Sequence, residues 1–502
     1  MSITGPGSVT AAQIVAQNNM MDQVNKLAEE LATGQSAQVY SDLQSQAGMV
    51  LSLNSQLAAI NGYSSTTSTV NTTLGVAQSI LTELGSTSST VQQEVTAQPG
   101  FSLNANGQTQ VQVAAQTQLD QILSALNTQS GSNYIFSGSA VNQPAVASTS
   151  DILNGTGTQA GLTQIISERE QADQGTTGMG RLSVATTGST VTLSQDGTPF
   201  GFQLTGVNSS LTGATTTGPS GTPPTISVAL GSNPNDGDTI SFQLTLPDGS
   251  TQNVSLQATT ASPPGTGQFS IGATAADTAT NLQNALSSTI SNLAQTALPA
   301  ASAMAAGNDF FQDPPQIVVP GAGNNYAAAT SLTNGTAANT VIWYTGENGS
   351  TPARQTQTAL IGPSTTIDYG MRANEQAITN LVKNVAVLAA TTYSASNTNA
   401  KASYEALSQK VEVNLNPVSG TQSISDIESD LANAQITVTN TTKLNTQTQT
   451  TLNDILQNVD GVNQNNVGEQ LLTLQNSLSA SLSVSARIAQ LSLVNYLSPS
   501  AG

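Results

Sequence analysis

The residues with chemical potential in this chain are its carboxylates, because the 502-residue sequence contains no histidine and no cysteine. Their absence removes the commonest general base and metal ligand, and with them thiolate nucleophiles, thiolate metal sites and disulfides. Two carboxylate pairs lie close enough in sequence to weigh. Glu168 and Glu170 stand two apart, so on a helix they face different directions. Asp309 and Asp313 flank Phe310-Phe311 and precede Pro314-Pro315, which reads as a helix end. The acidic loop Asn233 to Asp238 lacks the distal bidentate Glu and the set of six or more oxygens that calcium takes, and reads as a solvated entry to a hairpin. Trp343, beside Tyr344, reads as domain core rather than a sugar-stacking platform. The sequence therefore predicts no enzyme: no catalytic, cofactor-binding or metal residues, and no cofactor.

Composition narrows the partners. Charged residues make up 8% of the chain, against about 25% in ordinary soluble proteins, so Ser, Thr, Asn and Gln carry its hydration. Ten Lys and Arg face 29 Asp and Glu, a net charge of −19. No basic surface is available for nucleic acid or an anionic membrane, and neither is predicted as a partner. No apolar run reaches membrane-spanning length, and Met1 to Pro6 has neither a basic nor an apolar signal region.

What must be positioned is a set of long helices. From Ile427 the apolar positions step by four and three through Leu431, Ala434 and Val438, pass the polar Thr441, Asn445 and Thr448, and resume at Leu452, Ile455 and Val459. This is a heptad seam. Ser425 to Glu428 reads as its capping box. Asn445 in the seam reads as a register device, so Asn445→Leu is predicted to raise stability while degrading assembly order. A second stretch, after Gly461 and Gly468, carries Leu471, Leu474, Leu478, Leu482, Leu491, Leu493 and Leu497. Near the N-terminus, residues 8–32 are helical in pattern. A longer seam then runs through Val50, Leu53, Leu57 and Ile60, slips one step at Tyr63, and continues through Leu74, Leu81 and Val95. A third helix is predicted over Gln108 to Gln129, another over Gly161 to Gln174, and one last long helix from Ile378 through Leu415.

Between these segments the texture changes from about Gly175 to Gly, Pro, Ser and Thr with short alternating runs. Thr239 to Leu246 and Thr251 to Ala258 read as a hairpin around Asp248-Gly249, followed by a strand at Phe269, helices over Asp277 to Leu293 and Ala294 to Gly307, and a strand at Val341 to Tyr344. The expected fold is mainly α: long antiparallel, coiled-coil helices from paired N- and C-terminal segments, with an inserted α/β, hairpin-rich outer domain. The expected domains are a terminal helical region (1–40 plus 465–502), a helical bundle core (41–175 plus 363–464) and the insertion (176–362). The expected assembly seam is Leu53, Leu57, Leu74, Leu81, Leu431, Val438, Asn445, Leu452, Ile455, Leu471, Leu474, Leu478, Leu491, Leu493 and Leu497.

The chain resembles the bacterial flagellin superfamily, filament flagellin and the hook–filament junction protein. The segments that carry the likeness are Leu27 to Gly34, Asn133 to Gly138 and Ser485 to Leu497, and Asp368 to Glu375 with the 237–311 block is similar to parts of flagellins from some alphaproteobacteria. Two departures stand out: Gln35 to Leu43 has no Arg and a single Asp, Asp42, and Leu491 to Leu497 looks more like the junction protein. The resemblance implies a structural subunit that polymerises with itself into an extracellular tube serving motility. It further implies export without a cleaved signal through the flagellar type III channel, and contacts with hook-associated and cap proteins and an export chaperone. The alternatives are the hook–filament junction protein of the same superfamily and, from a different class, a secreted surface adhesin.

Overall fold

The structure is a computed structural model of the whole chain, and the description covers residues 6–36, 46–97 and 100–496, with side chains of 6–12, 460 and 488–496 outside it. In chain order the elements are α1 (Pro6–Thr33), α2 (Ala47–Ala97), α3 (Gln110–Leu126), β1 (Gln129–Ser130), β2 (Asn133–Tyr134), α4 (Thr149–Asn154) and α5 (Leu162–Gln174). The middle of the chain holds β3 (Leu182–Thr187), β4 (Thr190–Gln195), β5 (Gln203–Ser209), β6 (Ala214–Ser220), β7 (Thr225–Leu230), β8 (Thr239–Thr245), β9 (Thr251–Thr259), β10 (Gln268–Ser270), α6 (Ala275–Gln295) and α7 (Ala297–Phe311). Then come β11 (Gln316–Val319), β12 (Ser331–Asn334), β13 (Thr358–Gly362), β14 (Thr365–Asp368), α8 (Gln376–Ala390), α9 (Ala400–Leu415), α10 (Ile424–Asp460) and α11 (Gln464–Tyr496). The chain is mainly helical with a β-rich insertion in several small sheets, as the patterning predicts. It divides into two compact units: residues 1–71, 360–367 and 436–502, and residues 72–359 and 368–435.

Helix α2 shows how so polar a sequence holds one helix for 51 residues. Its buried positions, among them Val50, Leu53, Leu57, Ile60, Thr67, Val70, Leu74, Ala77, Leu81 and Leu84, keep the three–four rhythm, with Tyr63 marking a step where two threes follow one another. Its threonines would otherwise compete for the backbone. Thr66, Thr67, Thr69, Thr82, Thr87, Thr90 and Thr96 instead donate to the carbonyl four residues earlier, so their hydroxyls are satisfied within the helix.

In the second unit two four-stranded sheets, ordered β3-β4-β7-β6 and β10-β9-β8-β5, share one apolar core with α6. The predicted hairpin is β8–β9, antiparallel with Phe242 opposite Val254 and Ile240 opposite Leu256. β10 adds to β9 in parallel. α6 begins at a reciprocal cap, the Thr274 hydroxyl accepting from the Asp277 N–H while the Asp277 side chain accepts from the Thr274 N–H. It lays Leu282, Leu286 and Ile290 on Phe242 and Phe269.

Helix α7 contributes Leu298 and Ala301 to that core and carries it into the helical frame. It is buried on most of its circumference, from Leu298 to Phe311, and packs on α5, α8 and α9. Small residues permit this: a Cβ on Gly307 would lie 2.5 Å from Val387 Cγ2 of α8. The helical frame of this unit therefore draws one of its central members from within residues 176–362.

Three sequence expectations are corrected, and one set of strands has no clear sequence pattern. The last long helix is two helices, because α8 stops at Ala390: the Gln112 amide of α3 donates to the Leu388 and Thr391 carbonyls at 3.2 and 2.8 Å, and the Tyr393 N–H donates to the Gly107 carbonyl at 2.7 Å. Val341 to Tyr344 forms no strand, only isolated bridges at Thr340 and Tyr344, and Trp343 is core, its Nε1–H donating to the Phe311 carbonyl at 3.2 Å. The cap of α10 lies two residues earlier than read: Ser423 and Asp426 reciprocate, since this pairing puts the carboxylate at the third helical position. Strands β3 to β7 were not read from the sequence, their alternation at Leu182/Val184, Val191/Leu193 and Ile226/Val228/Leu230 being diluted by Thr, Ser and Gly.

Candidate assembly surface

The first unit is built from the two ends of the chain. α1 terminates where Gly34, at φ +72°, donates its N–H to the Glu30 carbonyl at 2.8 Å, and the returning chain meets that turn where the Val462 N–H donates to the Gly34 carbonyl at 3.2 Å. α11 then runs back along α1: Gln17 Nε2 donates to the Ser485 and Ser481 hydroxyls at 2.7 and 3.2 Å. The two helices cover each other's apolar side chains only in part: Val24, Leu27 and Leu31 of α1 are half-buried and Val467 of α11 is buried, while other large apolar residues stay open. Ile14, Val15 and Met21 on α1 are 57, 58 and 57% exposed, and Leu472, Leu482 and Val484 on α11 are 62, 52 and 48% exposed. Leu471, Leu474 and Leu478 are half-buried. Leu491 and Leu493 lie in the helical backbone of α11 with side chains outside the description, and Leu497 lies outside the described residues.

In the same unit Leu53, Leu57 and Ile60 of α2 form a buried cluster with Leu452 of α10, flanked by Tyr63, Ile455 and Leu456. Gln449 Nε2 donates to Asn61 Oδ1 at 2.7 Å. Within the second unit the Thr82 hydroxyl, whose proton goes to the Gln78 carbonyl at 2.9 Å or to Glu428 Oε1 at 3.2 Å, brings α2 against α10. Val438 in the first unit, and Leu74, Leu81 and Leu431 in the second, are buried to 1% or less.

Asn445 is buried at 3% exposure, and its partner was not legible in the sequence. Its Nδ2 donates to the main-chain carbonyl of Ile361 in β13 at 2.9 Å. The polar break in the seam accommodates a strand, which approaches closely enough that Gly362 lies against Thr441. No pattern in the α10 sequence identifies that acceptor.

Sequence reasoning also missed a buried ionic cluster in the second unit. Arg169 Nε pairs with Asp173 Oδ2 at 3.0 Å, and Arg169 Nη1 pairs with Asp309 across from α7. Asp173 also accepts from the Gly201 N–H at 2.8 Å, and the Phe200 ring lies between the guanidiniums of Arg169 and Arg181, 5.3 and 5.6 Å from its centroid. Arg169 and Asp173 are four apart on α5, a spacing that could have flagged the pair. Among the described residues no group of three or more Asp or Glu is arranged to hold a metal ion, and no helix is long and apolar enough to cross a membrane.

The first unit thus presents a helical pair, α1 and α11, with large apolar side chains left open along both helices. Residues 8–141 match the family model for the bacterial flagellin N-terminal helical region, which takes in α1, α2 and α3. Over that span the chain is similar to bacterial flagellins, and the match supports membership of the flagellin superfamily. No curated protein matches the chain at the level of whole-sequence similarity.

Proposed function

We propose that this protein is a filament flagellin that builds the motility filament by packing α1 and α11 of one copy against those of its neighbours. The observation that supports this reading is the exposure of large apolar residues on both helices, up to 62% at Leu472. Burying each such side chain is worth about 1.5–3 kcal/mol once a partner surface is present. On this reading residues 1–40 and 465–502 form the tube, residues 41–175 and 363–464 the bundle around it, and residues 176–362 supply the outer domain, with α7 remaining part of the helical frame. Of the expected seam, Leu471, Leu474 and Leu478 together with Leu491, Leu493 and Leu497 would supply the part contributed by α11 and the residue beyond it. Hook-associated and cap proteins would meet the same ends in the growing axis, and an export chaperone would cover α11 before secretion through the type III channel.

The test is negative-stain microscopy of the purified, concentrated protein seeded with filament fragments, beside a truncation lacking Gln470 to Gly502. Long tubes from the full chain and none from the truncation are expected, with the melting of the second unit unchanged. Discrete particles from the full chain under seeding would reject the reading. The hook–filament junction protein is the second reading, favoured by the sequence of Leu491 to Leu497. A junction subunit would add to hook fragments without elongating.

A further inference from the structure

The second unit holds an open cleft of about 780 Å³, a volume in the range of small-molecule sites. Its origin lies in the sequence of α2. At the seam position between Leu84 and Val91 the helix has Ser88, flanked by Gly85 and Ser89, and a Cβ added at Gly85 would meet nothing within 4 Å. The residues between α9 and α10 and one face of α8 supply further walls, and Phe310, Phe311, Ile342 and Trp343 form an apolar base. The polar groups of the walls are largely occupied with one another. Gln92 Nε2 donates to Asn416 Oδ1 at 2.6 Å, Asn380 Nδ2 donates to the Asn414 carbonyl at 2.8 Å, and Asn348 Nδ2 donates to Asp313 Oδ2. Lys383 is the exception. Its stem lies along Gly307 of α7 and its ammonium donates to the neutral Asn308 Oδ1 at 2.9 Å, while among the described residues no carboxylate pairs with it.

We propose that this cleft is a binding site for a small organic monocarboxylate, whose carboxylate pairs with Lys383 and whose apolar or aromatic body rests on the base formed by Phe311 and Trp343. A half-buried charge with only an amide beside it is unfavourable, and an anion entering the cleft offsets that. Burial already holds the Lys383 ammonium below the usual pKa of a lysine. The body follows from the lining: wall amides that satisfy one another leave little for a polyhydroxylated ligand, whereas the apolar base is open to a hydrocarbon or a ring. Asp313 limits the charge to one, since it lines the same cleft and repels a second negative group. The site belongs to the second unit and α1 and α11 to the first, so the inference does not rest on the filament reading.

Trp343 supplies a native probe, because it is the chain's one tryptophan and lines the cleft. Phenylacetate titrated into the full chain should change Trp343 fluorescence saturably, with a matching heat in calorimetry. Phenylacetamide keeps the body and lacks the charge, acetate keeps the charge and lacks the body, and each should bind at least about tenfold more weakly. Lys383→Met retains the stem beside Gly307 and should bring phenylacetate down to the level of phenylacetamide. Lys401→Met, at an exposed lysine paired with Glu405, should leave binding unchanged. Gly85→Leu fills the cleft from α2 without altering Lys383 and should abolish binding. Leucine is favoured over glycine within a helix, so this variant provides the reading should Lys383→Met not fold. Equal binding of phenylacetate and phenylacetamide, no saturable binding of phenylacetate, or unchanged binding in Gly85→Leu overturns the proposal.

Discussion

Replacing Asn445 by Asp tests the polar contact that ties the middle of α10 to β13. The two side chains have the same shape, so packing is conserved, but the amide that donates to the Ile361 carbonyl at 2.9 Å becomes an oxygen facing an oxygen. Loss of the hydrogen bond costs about 0.5–1.5 kcal/mol. Leaving an uncompensated charge at a position only 3% exposed costs more, about 3–5 kcal/mol. The acid's folded pKa will therefore lie above the ordinary carboxylate value, and the variant should regain stability as pH falls from 7 towards 4. Asn445→Leu provides the contrast. It strands the same carbonyl at about 1–3 kcal/mol but buries an apolar side chain worth about 1.5–3 kcal/mol, so the structure predicts a net change close to zero where the seam pattern alone predicts a gain. Urea denaturation followed by circular dichroism at pH 7.5 and pH 5, with filament order scored by microscopy, measures both. A loss below about 0.5 kcal/mol for Asn445→Asp at pH 7.5 would refute the reasoning.

Gly201→Ala should destabilise the second unit by about 2–4 kcal/mol in a thermal melt, because φ at Gly201 is +70° and an added Cβ would lie 2.4 Å from the Gly180 carbonyl oxygen. An unchanged melting temperature would show that the turn can relax. Lys410→Met should free the hairpin turn at Asp248, since Lys410 Nζ holds Asp248 Oδ2 at 2.6 Å and the Ser250 hydroxyl at 2.7 Å. A local loss of about 1.5–3 kcal/mol, seen as faster hydrogen exchange at residues 247–251 with α9 unaffected, is the expected result. Leu74→Ala, at a fully buried position, should cost about 2–5 kcal/mol by denaturant unfolding.

Periodicity alone was enough to define α2 and α10, though not the break between α8 and α9. Leu53, Leu57, Leu74 and Leu81 keep a helical rhythm over a length that no strand reaches, and such a helix must find a lengthwise partner. The hairpin at Asp248-Gly249 was legible for a similar local reason: its turn residues and its alternation agree. Absence was informative too, since a chain without His or Cys has few routes to catalysis. What escaped the sequence was whatever depends on segments distant along the chain. Asn445 finds its acceptor 84 positions away, Arg169 meets Asp309 at a separation of 140, and Gln112 of α3 takes the carbonyls that end α8 at separations of 276 and 279. These contacts have no local signature, because hydrogen bonds and ion pairs are set by where the backbone comes together rather than by the composition of either strip. Tertiary packing also decided the place of α7, whose Ala-rich sequence fits a helix surrounded by others as well as one on a surface. The tight approach at Gly307 and the burial from Leu298 to Phe311 distinguish the two.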